Sequence, residues 1–235
     1  MAASMSGRAL GSMTSPDVEA RRGELILVVP LGACEQHGPH LPLWTDSLLA
    51  ESLCGSLAEH RDDVVVSPLV GVAASGEHAG FAGTLSVGSV VLAAYCTELV
   101  RSARAWARGV VVVSGHGGNL DALRTVERTG REEGDAVVVF LARIQGSDAH
   151  AGRTETSLVL ALADAQVRHN EMVIGTTASL ASLEGTLRAQ GVAAVSPSGV
   201  LGDPTVASAA EGRTLYAGLV SDLLEDVDAT FGEAR

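Results

Sequence analysis

LILVVPLGACEQHGPHLPLWTD, residues 25–46, is the stretch from which the architecture of this chain follows. Its apolar first part, 25–31, predicts a buried strand. Its second part, 35–46, brings two imidazoles and two carboxylates together directly after that strand. Open α/β sheets place their active sites at the carboxyl ends of their strands. The stretch therefore predicts an α/β fold with polar, reactive side chains at this edge of the sheet.

The other apolar runs alternate with segments of helical spacing. Strands are predicted at 63–70, 109–113 and 136–141, and helices at 47–61, 89–108, 120–133, 156–165 and 207–231. We expect a long glycine-containing loop at 71–88, and strand plus loop with a helix near 180–190 within 171–203. Strands that alternate with helices indicate a three-layer α/β/α fold with a mostly parallel central sheet.

The composition fits one domain with an aliphatic core. Of the 235 residues 46% are hydrophobic and only 3% aromatic, which is typical of a buried parallel sheet. We expect residues 1–20 to be a flexible N-terminus and 21–235 to form a single domain. The formal net charge of −12 disfavours nonspecific binding to nucleic acid, so no nucleic-acid partner is predicted.

The same sequence predicts a cytoplasmic protein without a membrane span. An uninterrupted apolar run of about twenty residues, which a transmembrane helix needs, is missing. The N-terminal segment lacks the charged-then-apolar order of a secretory signal. The three cysteines are an odd number without a CxxC pair, so reduced thiols are expected rather than a disulfide framework.

Histidines concentrate in glycine-rich segments and loops that follow predicted strands. These are His37, His40, His78, His116 and His150. A single loop histidine often hydrogen-bonds only to the backbone, but five such positions favour a metal site. Carboxylate oxygens together with imidazole nitrogens suit borderline divalent cations such as Zn, Fe and Mn.

The first candidate ligands lie within 35–46. Glu35 and His37 are two residues apart, so on extended backbone they face the same side and can reach one metal or two adjacent ones. Asp46 begins a predicted helix, where a carboxylate is also favoured by the positive end of the helix. Asp46 is therefore either a ligand or a plain helix cap.

Two further segments follow predicted strands. GHGGN, 115–119, combines glycines that allow close approach with a helix start that offers free amide donors. A phosphate-binding turn is the alternative, but neither GxxxxGK[ST] nor GxGxxG is present, and His116 favours metal. In 148–157, His150 and Glu155 can supply an acid/base group and one more ligand. Glu155 also fits the first turn of a helix, and spacing leaves both options open.

Together these segments resemble the creatininase family of metal-dependent amidohydrolases. The matching parts are EQHGPHLP at 35–42, Thr45-Asp46, GHGGN at 115–119, HAG at 150–152 and ETS at 155–157. The resemblance implies a creatininase-like fold and two divalent metal ions per subunit, bridged by Asp46. It places Glu35 and His116 on one ion and His37 on the other. It also implies a homo-oligomer, commonly a hexamer.

The chain departs from the family pattern at one ligand. Creatininase carries a glutamate two residues after the histidine of the glycine turn, where this chain has Gly118. We hypothesise that Glu155 fills this vacancy and shares a catalytic role with His150, the candidate general acid for the leaving amine. The remaining candidates would contact or position substrate: His40, Trp44, Glu77, His78, Gly117, Gly118 and Asn119.

Within the family, SGEHAGF at 75–81 and VSPSGVLGDPT at 195–205 are most similar to the branch that belongs to mycofactocin biosynthesis. That likeness implies a ribosomally made, modified peptide as substrate, cleaved before its cross-linked C-terminal Val-Tyr unit by a metal-activated hydroxide. The alternatives are a hydrolase of a small cyclic amide or formamide, and a non-catalytic metal-binding scaffold. A nucleotide-binding module has only the general fold in its favour.

Overall fold

The computed structural model describes residues 8–234 of the chain. Its centre is a sheet of four strands in the order β2-β1-β3-β4, with every neighbouring pair parallel. The strands are β1 Ile26–Leu31, β2 Val64–Val66, β3 Gly109–Ser114 and β4 Val137–Leu141. The α-helices are α1 Ser15–Glu19, α2 Thr45–His60, α3 Gly88–Ala103, α4 Leu120–Glu133, α5 Arg153–Ala163, α6 Leu180–Gln190 and α7 Ala209–Phe231.

The central strand β1 is buried on both of its faces. Successive side chains of a strand point to opposite sides, so its residues divide between two cores. Leu27 and Val29 pack with apolar residues of α3 and α4, whereas Val28 packs with those of α2, α5 and α7. The predicted three-layer α/β/α fold with a parallel sheet is confirmed.

The strand order also fixes where a site can form. From the central pair β1 and β3, the chain continues outward to β2 on one side and to β4 on the other. Such a reversal leaves a crevice at the carboxyl ends of the two central strands. Leu31 of β1 is level with Ser114 of β3, so the loops that follow them leave the sheet side by side. The loop after β1 contains EQHG, residues 35–38, and the loop after β3 contains GHGGN, residues 115–119.

Several elements differ from the prediction. Strand β2 ends at Val66 instead of residue 70; after Pro68, Val70 makes one isolated bridge to Leu31. Helix α3 ends at Ala103, because the chain turns there to enter β3.

The strand predicted within 171–203 is wrong. This segment contains α6 and short 3-10 turns, and its Leu201 makes only an isolated bridge to His150. The physical reason lies in its glycines: Gly191 and Gly199 adopt positive φ angles, which interrupt extended backbone.

The predicted flexible N-terminus, 1–20, lies partly outside the described residues, which begin at residue 8. Within its described part, Ala9 bridges to Val66 at the edge of the sheet. Thr14 and Asp17 form a capping box at the start of α1. The domain boundary at residue 20 stays a prediction. Among the described helices, none is both long and apolar enough to cross a bilayer.

Candidate metal centre

Five side chains converge in the crevice between the loops after β1 and β3. They form two groups whose nitrogen and oxygen atoms lie within 4.8 Å of one another. The first group is Glu35, Asp46 and His116, and the second is His37, Asp46 and Glu155. A further group joins Glu35, His37 and His150. The first two groups contain all five residues proposed as ligands from the sequence, and Asp46 belongs to both.

Asp46 lies in the first turn of α2, where a cap and a ligand were both open from the sequence. Its Oδ1 lies 3.3 Å from His37 Nε2, and its Oδ2 lies 3.5 Å from His116 Nδ1. Burial alone would raise the pKa of Asp46, but the two imidazoles hold it below its usual value. Each carboxylate oxygen therefore faces a different group, as a bridging ligand requires.

His37 presents a defined nitrogen to the centre. Its Nδ1 lies 3.1 Å from the carbonyl oxygen of Glu35, which can only accept, so Nδ1 carries the proton. Its Nε2 is buried, has no hydrogen-bond partner, and lies 3.8 Å from Glu155 Oε2. Burial disfavours the charged ring, but the Asp46, Glu155 and Glu35 carboxylates raise the pKa of His37 to about 9. Nε2 faces carboxylates, so a positive charge belongs between them, either a proton in the metal-free chain or a metal ion in its place.

His116 and Glu35 form the other half of the centre. The Ala74 carbonyl accepts a hydrogen bond from His116 Nε2 at 3.0 Å, which leaves Nδ1 free on the side of Asp46. Burial would lower the pKa of His116, but Glu35 and neighbouring carboxylates raise it to about 10. Burial raises the pKa of Glu35 to about 8, against the opposing effect of the His116 charge.

The donor atoms at this centre fit a divalent cation. Unpartnered, fully buried polar atoms include Glu35 Oε1 and Oε2, His37 Nε2 and Asp46 Oδ2. Buried polar atoms nearly always have a hydrogen-bond partner, so a cluster of exceptions needs an explanation. Carboxylate oxygens and imidazole nitrogens aimed at one another are the donor set that divalent metals take.

Glu155 reaches the centre because Asp148, which precedes α5, fixes the position of the first turn of that helix. The carboxylate of Asp148 accepts hydrogen bonds from the backbone amides of Arg153 and Thr154, and so caps this helix. The buried Ala151 has a φ of 50°, and its amide donates to Glu155 Oε2. Burial raises the pKa of Glu155 to about 6, although His37 opposes the shift.

His150 has one nitrogen bound and one facing the centre. Its Nε2 donates to the carbonyl oxygen of Gln36 at 2.7 Å. Its Nδ1 lies 3.8 Å from Glu155 Oε2 and 3.9 Å from Glu35 Oε1. Burial and the neighbouring imidazoles lower the pKa of His150 well below its ordinary value. The ring is therefore neutral, and its bare Nδ1 can accept a proton.

Gly118 leaves a space that another residue fills. A Cβ at this position would collide with Glu77 Oε1 and with His116 Nε2. Glu77 Oε1 lies 3.4 Å from His116 Nε2. Burial would raise the pKa of Glu77, but His116 keeps it below its usual value. Glu77 therefore fills the space beside His116 at position 118, whereas Glu155, the residue hypothesised to replace the missing ligand, groups with His37 and Asp46.

Three of the candidates for substrate contact are engaged inside the protein. His40 is buried, and its Nε2 lies 2.9 Å from Thr156 Oγ1 on α5. The Asn119 amide donates to Gly32 and Ser114 and accepts from Ala74. The buried His78 lies beside Glu35. These contacts favour a positioning role for all three.

The other candidates reach solvent. Trp44 is 41% exposed, and its ring packs on Gly71, where a Cβ would collide with it. Gly117 is exposed, and Gly118 and Glu77 are partly exposed. These residues therefore remain available to a ligand.

Sequence inspection missed Gln36 as a member of the site. Its side chain contacts His78, Gly38 and Gly199. Its place between two candidate ligands was the only available signal. Its partners His78 and Gly199 are 42 and 163 residues away along the chain, so spacing cannot reveal them.

The parallel three-layer fold and the buried oxygen–nitrogen groups are those of a metal-dependent hydrolase that acts on carbon–nitrogen bonds. A sequence profile of the creatininase family, described as creatinine amidohydrolase, matches residues 11–227. The chain belongs to the creatininase family.

Named relatives agree with this assignment, and a solved structure agrees with the fold. The mycofactocin precursor peptide peptidase of Mycolicibacterium smegmatis is 45% identical over 201 residues, covering 83% of this chain and 81% of that protein. The protein of the same name from Mycobacterium tuberculosis is 43% identical over 227 residues, covering 93% and 90%. A crystal structure of creatinine amidohydrolase has a TM-score of 0.79 at 24% identity and covers 96% of this chain and 98% of its own.

Proposed function

We propose that this chain is a peptidase with two divalent metal ions that cleaves the modified mycofactocin precursor peptide before its cross-linked C-terminal Val-Tyr unit. The observation that carries the proposal is Asp46, whose two oxygens face two separate ligand groups. Support for the peptide substrate comes from the peptidase relative, which is 45% identical.

Five residues would hold the ions. Glu35, Asp46 and His116 would hold one, and His37, Asp46 and Glu155 the other. Zn, Fe and Mn all accept this donor set. Divalent cations in such a pair lower the pKa of water and polarise a carbonyl oxygen.

His150 would move the proton. Its neutral ring directs Nδ1 toward the centre, so Nδ1 can take a proton from the attacking water as the carbon–oxygen bond forms. The same atom then gives this proton to the leaving amine nitrogen as the carbon–nitrogen bond breaks. The sequence suggested only the second step. Glu155, 3.8 Å from Nδ1, would stabilise the transient imidazolium.

The exposed side of the centre would receive the peptide. Trp44 offers an open aromatic face, and Glu77 a partly exposed carboxylate. Gly117 and Gly118 leave room for backbone to approach. His40, His78 and Asn119 would support this wall from within.

We further propose a cytoplasmic homo-oligomer. The three cysteines are free thiols, as expected in a reducing compartment. Val90, Val91 and Tyr95 of α3 are exposed apolar side chains that suit a subunit contact. The hexamer implied by family resemblance is the expected assembly.

The test pairs metal content with peptide cleavage. Plasma mass spectrometry of the purified chain should find close to two divalent ions, and mass spectrometry of the cross-linked peptide should find cleavage before the Val-Tyr unit. A chelator should abolish cleavage, and added metal should restore it. Two ions without peptide cleavage, but with hydrolysis of creatinine, would overturn the substrate assignment. Absence of bound metal and of hydrolysis would overturn the whole proposal.

A further inference from the structure

We infer that Gln36 and His78 form a pair that positions Glu35, in which the Gln36 amide fixes the tautomer of His78 so that its Nε2–H faces Glu35 Oε1. This inference rests on the proposed metal centre, since Glu35 matters as a ligand. It assigns His78 a positioning role and brings in Gln36, which lies in the EQHGPHLP stretch but received no role from the sequence.

The orientation of the Gln36 amide is settled by its neighbours. The backbone amide of Gly38 can only donate, and it lies 2.8 Å from Gln36 Oε1. The carbonyl oxygen of Gly199 can only accept, and it lies 3.2 Å from Gln36 Nε2. Both contacts require the same assignment of oxygen and nitrogen. The Gln36 NH₂ group is therefore the one that meets His78.

This orientation determines which nitrogen of His78 carries its proton. Gln36 Nε2 lies 2.9 Å from His78 Nδ1, and an amide nitrogen can only donate. His78 Nδ1 must therefore accept, and in the neutral ring the proton lies on Nε2. Because Nδ1 accepts this hydrogen bond it carries no proton, so the single proton of the ring lies on Nε2.

The tautomer of His78 determines whether an N–H group or a lone pair faces the Glu35 carboxylate. His78 Nε2 lies 3.3 Å from Glu35 Oε1, and both side chains are buried. With the proton on Nε2, the positive end of an N–H dipole faces the carboxylate and stabilises its anionic form. With the proton on Nδ1, a lone pair would face the carboxylate and repel it. The contact leaves both Glu35 oxygens without a formal hydrogen bond, so they stay available to a cation.

A glycine holds this arrangement in place. Gly199 has a φ of 80°, and a Cβ there would collide with the Gln36 amide. Any larger residue would displace the side chain that sets the His78 tautomer. The segment 195–205, far away in sequence, thus acts on the metal centre through one carbonyl oxygen.

Outer partners of metal ligands typically change metal affinity by about 10- to 100-fold when they are removed. Two substitutions of His78 distinguish the loss of the donor toward Glu35 from a change in packing. In His78→Gln, the amide nitrogen can take the place of Nε2 and keep a donor toward Glu35. In His78→Asn, the amide reaches only the place of Nδ1, and the donor is lost. Gln36→Glu replaces the donor to Nδ1 with an acceptor and keeps the size of the side chain.

The experiment measures tautomer and metal affinity without any peptide. Imidazole ¹⁵N NMR of the metal-free chain, with the His78 signals assigned by their loss in His78→Gln, should show a proton on Nε2 alone. Competition with a fluorescent chelator should show that zinc affinity falls about 10- to 100-fold in His78→Asn and Gln36→Glu and only a few-fold in His78→Gln.

A proton on His78 Nδ1 in the wild-type chain would overturn the inference, and this readout requires only that His78→Gln folds. Equal zinc affinity in His78→Asn and His78→Gln would do the same. Failure of the proposed function has a different signature, namely normal zinc affinity without peptide cleavage.

Discussion

Glu77 fills the space that a side chain on Gly118 would need, because a Cβ at that position would collide with its carboxylate. Creatininase carries a glutamate at the matching position, so a carboxylate enters this corner from a different loop. A glutamate at position 118 should therefore be tolerated only when Glu77 is replaced by a smaller residue.

The first prediction is a double substitution. Gly118→Glu alone should lower cleavage of the precursor peptide by at least about tenfold, because two carboxylates then compete for one space beside His116. Adding Glu77→Ala should restore part of that loss, which peptide mass spectrometry would quantify. Glu77→Ala alone serves as the reference. Additive losses in the double variant would show that the two positions do not share this space.

The second prediction concerns Glu155 as a ligand. Glu155→Gln should lower metal content from about two ions per chain toward one, because it weakens the group formed with His37 and Asp46. Plasma mass spectrometry after dialysis measures the change. The exposed Glu225→Gln is a matched control and should keep full occupancy. Unchanged occupancy in Glu155→Gln would show that Glu155 is not a ligand of the second ion.

The third prediction separates proton transfer from metal binding. His150→Asn should retain its metal but lose turnover by about 10²- to 10⁴-fold, the usual contribution of general acid–base catalysis. The reason is that Nδ1 faces the centre while Nε2 is held by Gln36. Metal content and kcat for peptide cleavage are measured on the same preparation. Full metal together with full turnover would remove His150 from the mechanism.

The fourth prediction is that metal binding releases protons. In the metal-free chain the pKa values of His37 and His116 are raised to about 9 and about 10, so both rings are protonated at neutral pH. A bound cation requires them neutral, so zinc affinity should rise with pH up to that range. Titration calorimetry at pH 7.5 in buffers of different ionisation enthalpy measures the release. Zinc binding with no proton release would contradict the ligand assignment.

The fifth prediction concerns stability away from the site. Arg61 is 1% exposed and pairs with Asp63 and Asp228, which ties α2 to α7. Arg61→Met should lower the free energy of unfolding by about 1–3 kcal/mol at pH 7, less than for a fully buried pair because the carboxylates reach water. Urea denaturation measures this. The exposed Arg124→Met should change it by less than about 0.5 kcal/mol.

The stability that the Arg61–Asp63 ion pair contributes depends on pH in a defined direction. Burial would raise the pKa of Asp63, but Arg61 and Arg108 hold it below its ordinary value of 3.8. A lowered pKa contributes stability that is complete above about pH 4 and is lost as the pH falls through the folded-state value. The difference between wild type and Arg61→Met should therefore shrink on acidification below pH 4. A difference that grows in acid would contradict this assignment.

The sequence predicted the parallel sheet and the region of the site for a single reason. Glu35 and His116 follow separate apolar strands, and the carboxyl ends of parallel strands meet at one edge. Sequence alone left open whether Asp46 caps α2 or faces the imidazoles, since side-chain direction depends on the packed neighbours. The link from Gly199 through Gln36 to His78 was hidden for the same reason: it exists only after distant loops have folded together.

Ala151 occupies left-handed backbone, which an alanine adopts only at a cost of about 1 kcal/mol or more, whereas glycine adopts it freely. This residue follows His150 directly and binds Glu155 through its amide. The Cβ of Ala151 restricts the loop to fewer backbone conformations than a glycine would allow. His150 and Glu155 are therefore held at a set separation by the backbone itself, so a reaction that used both side chains would need little reorganisation of this loop.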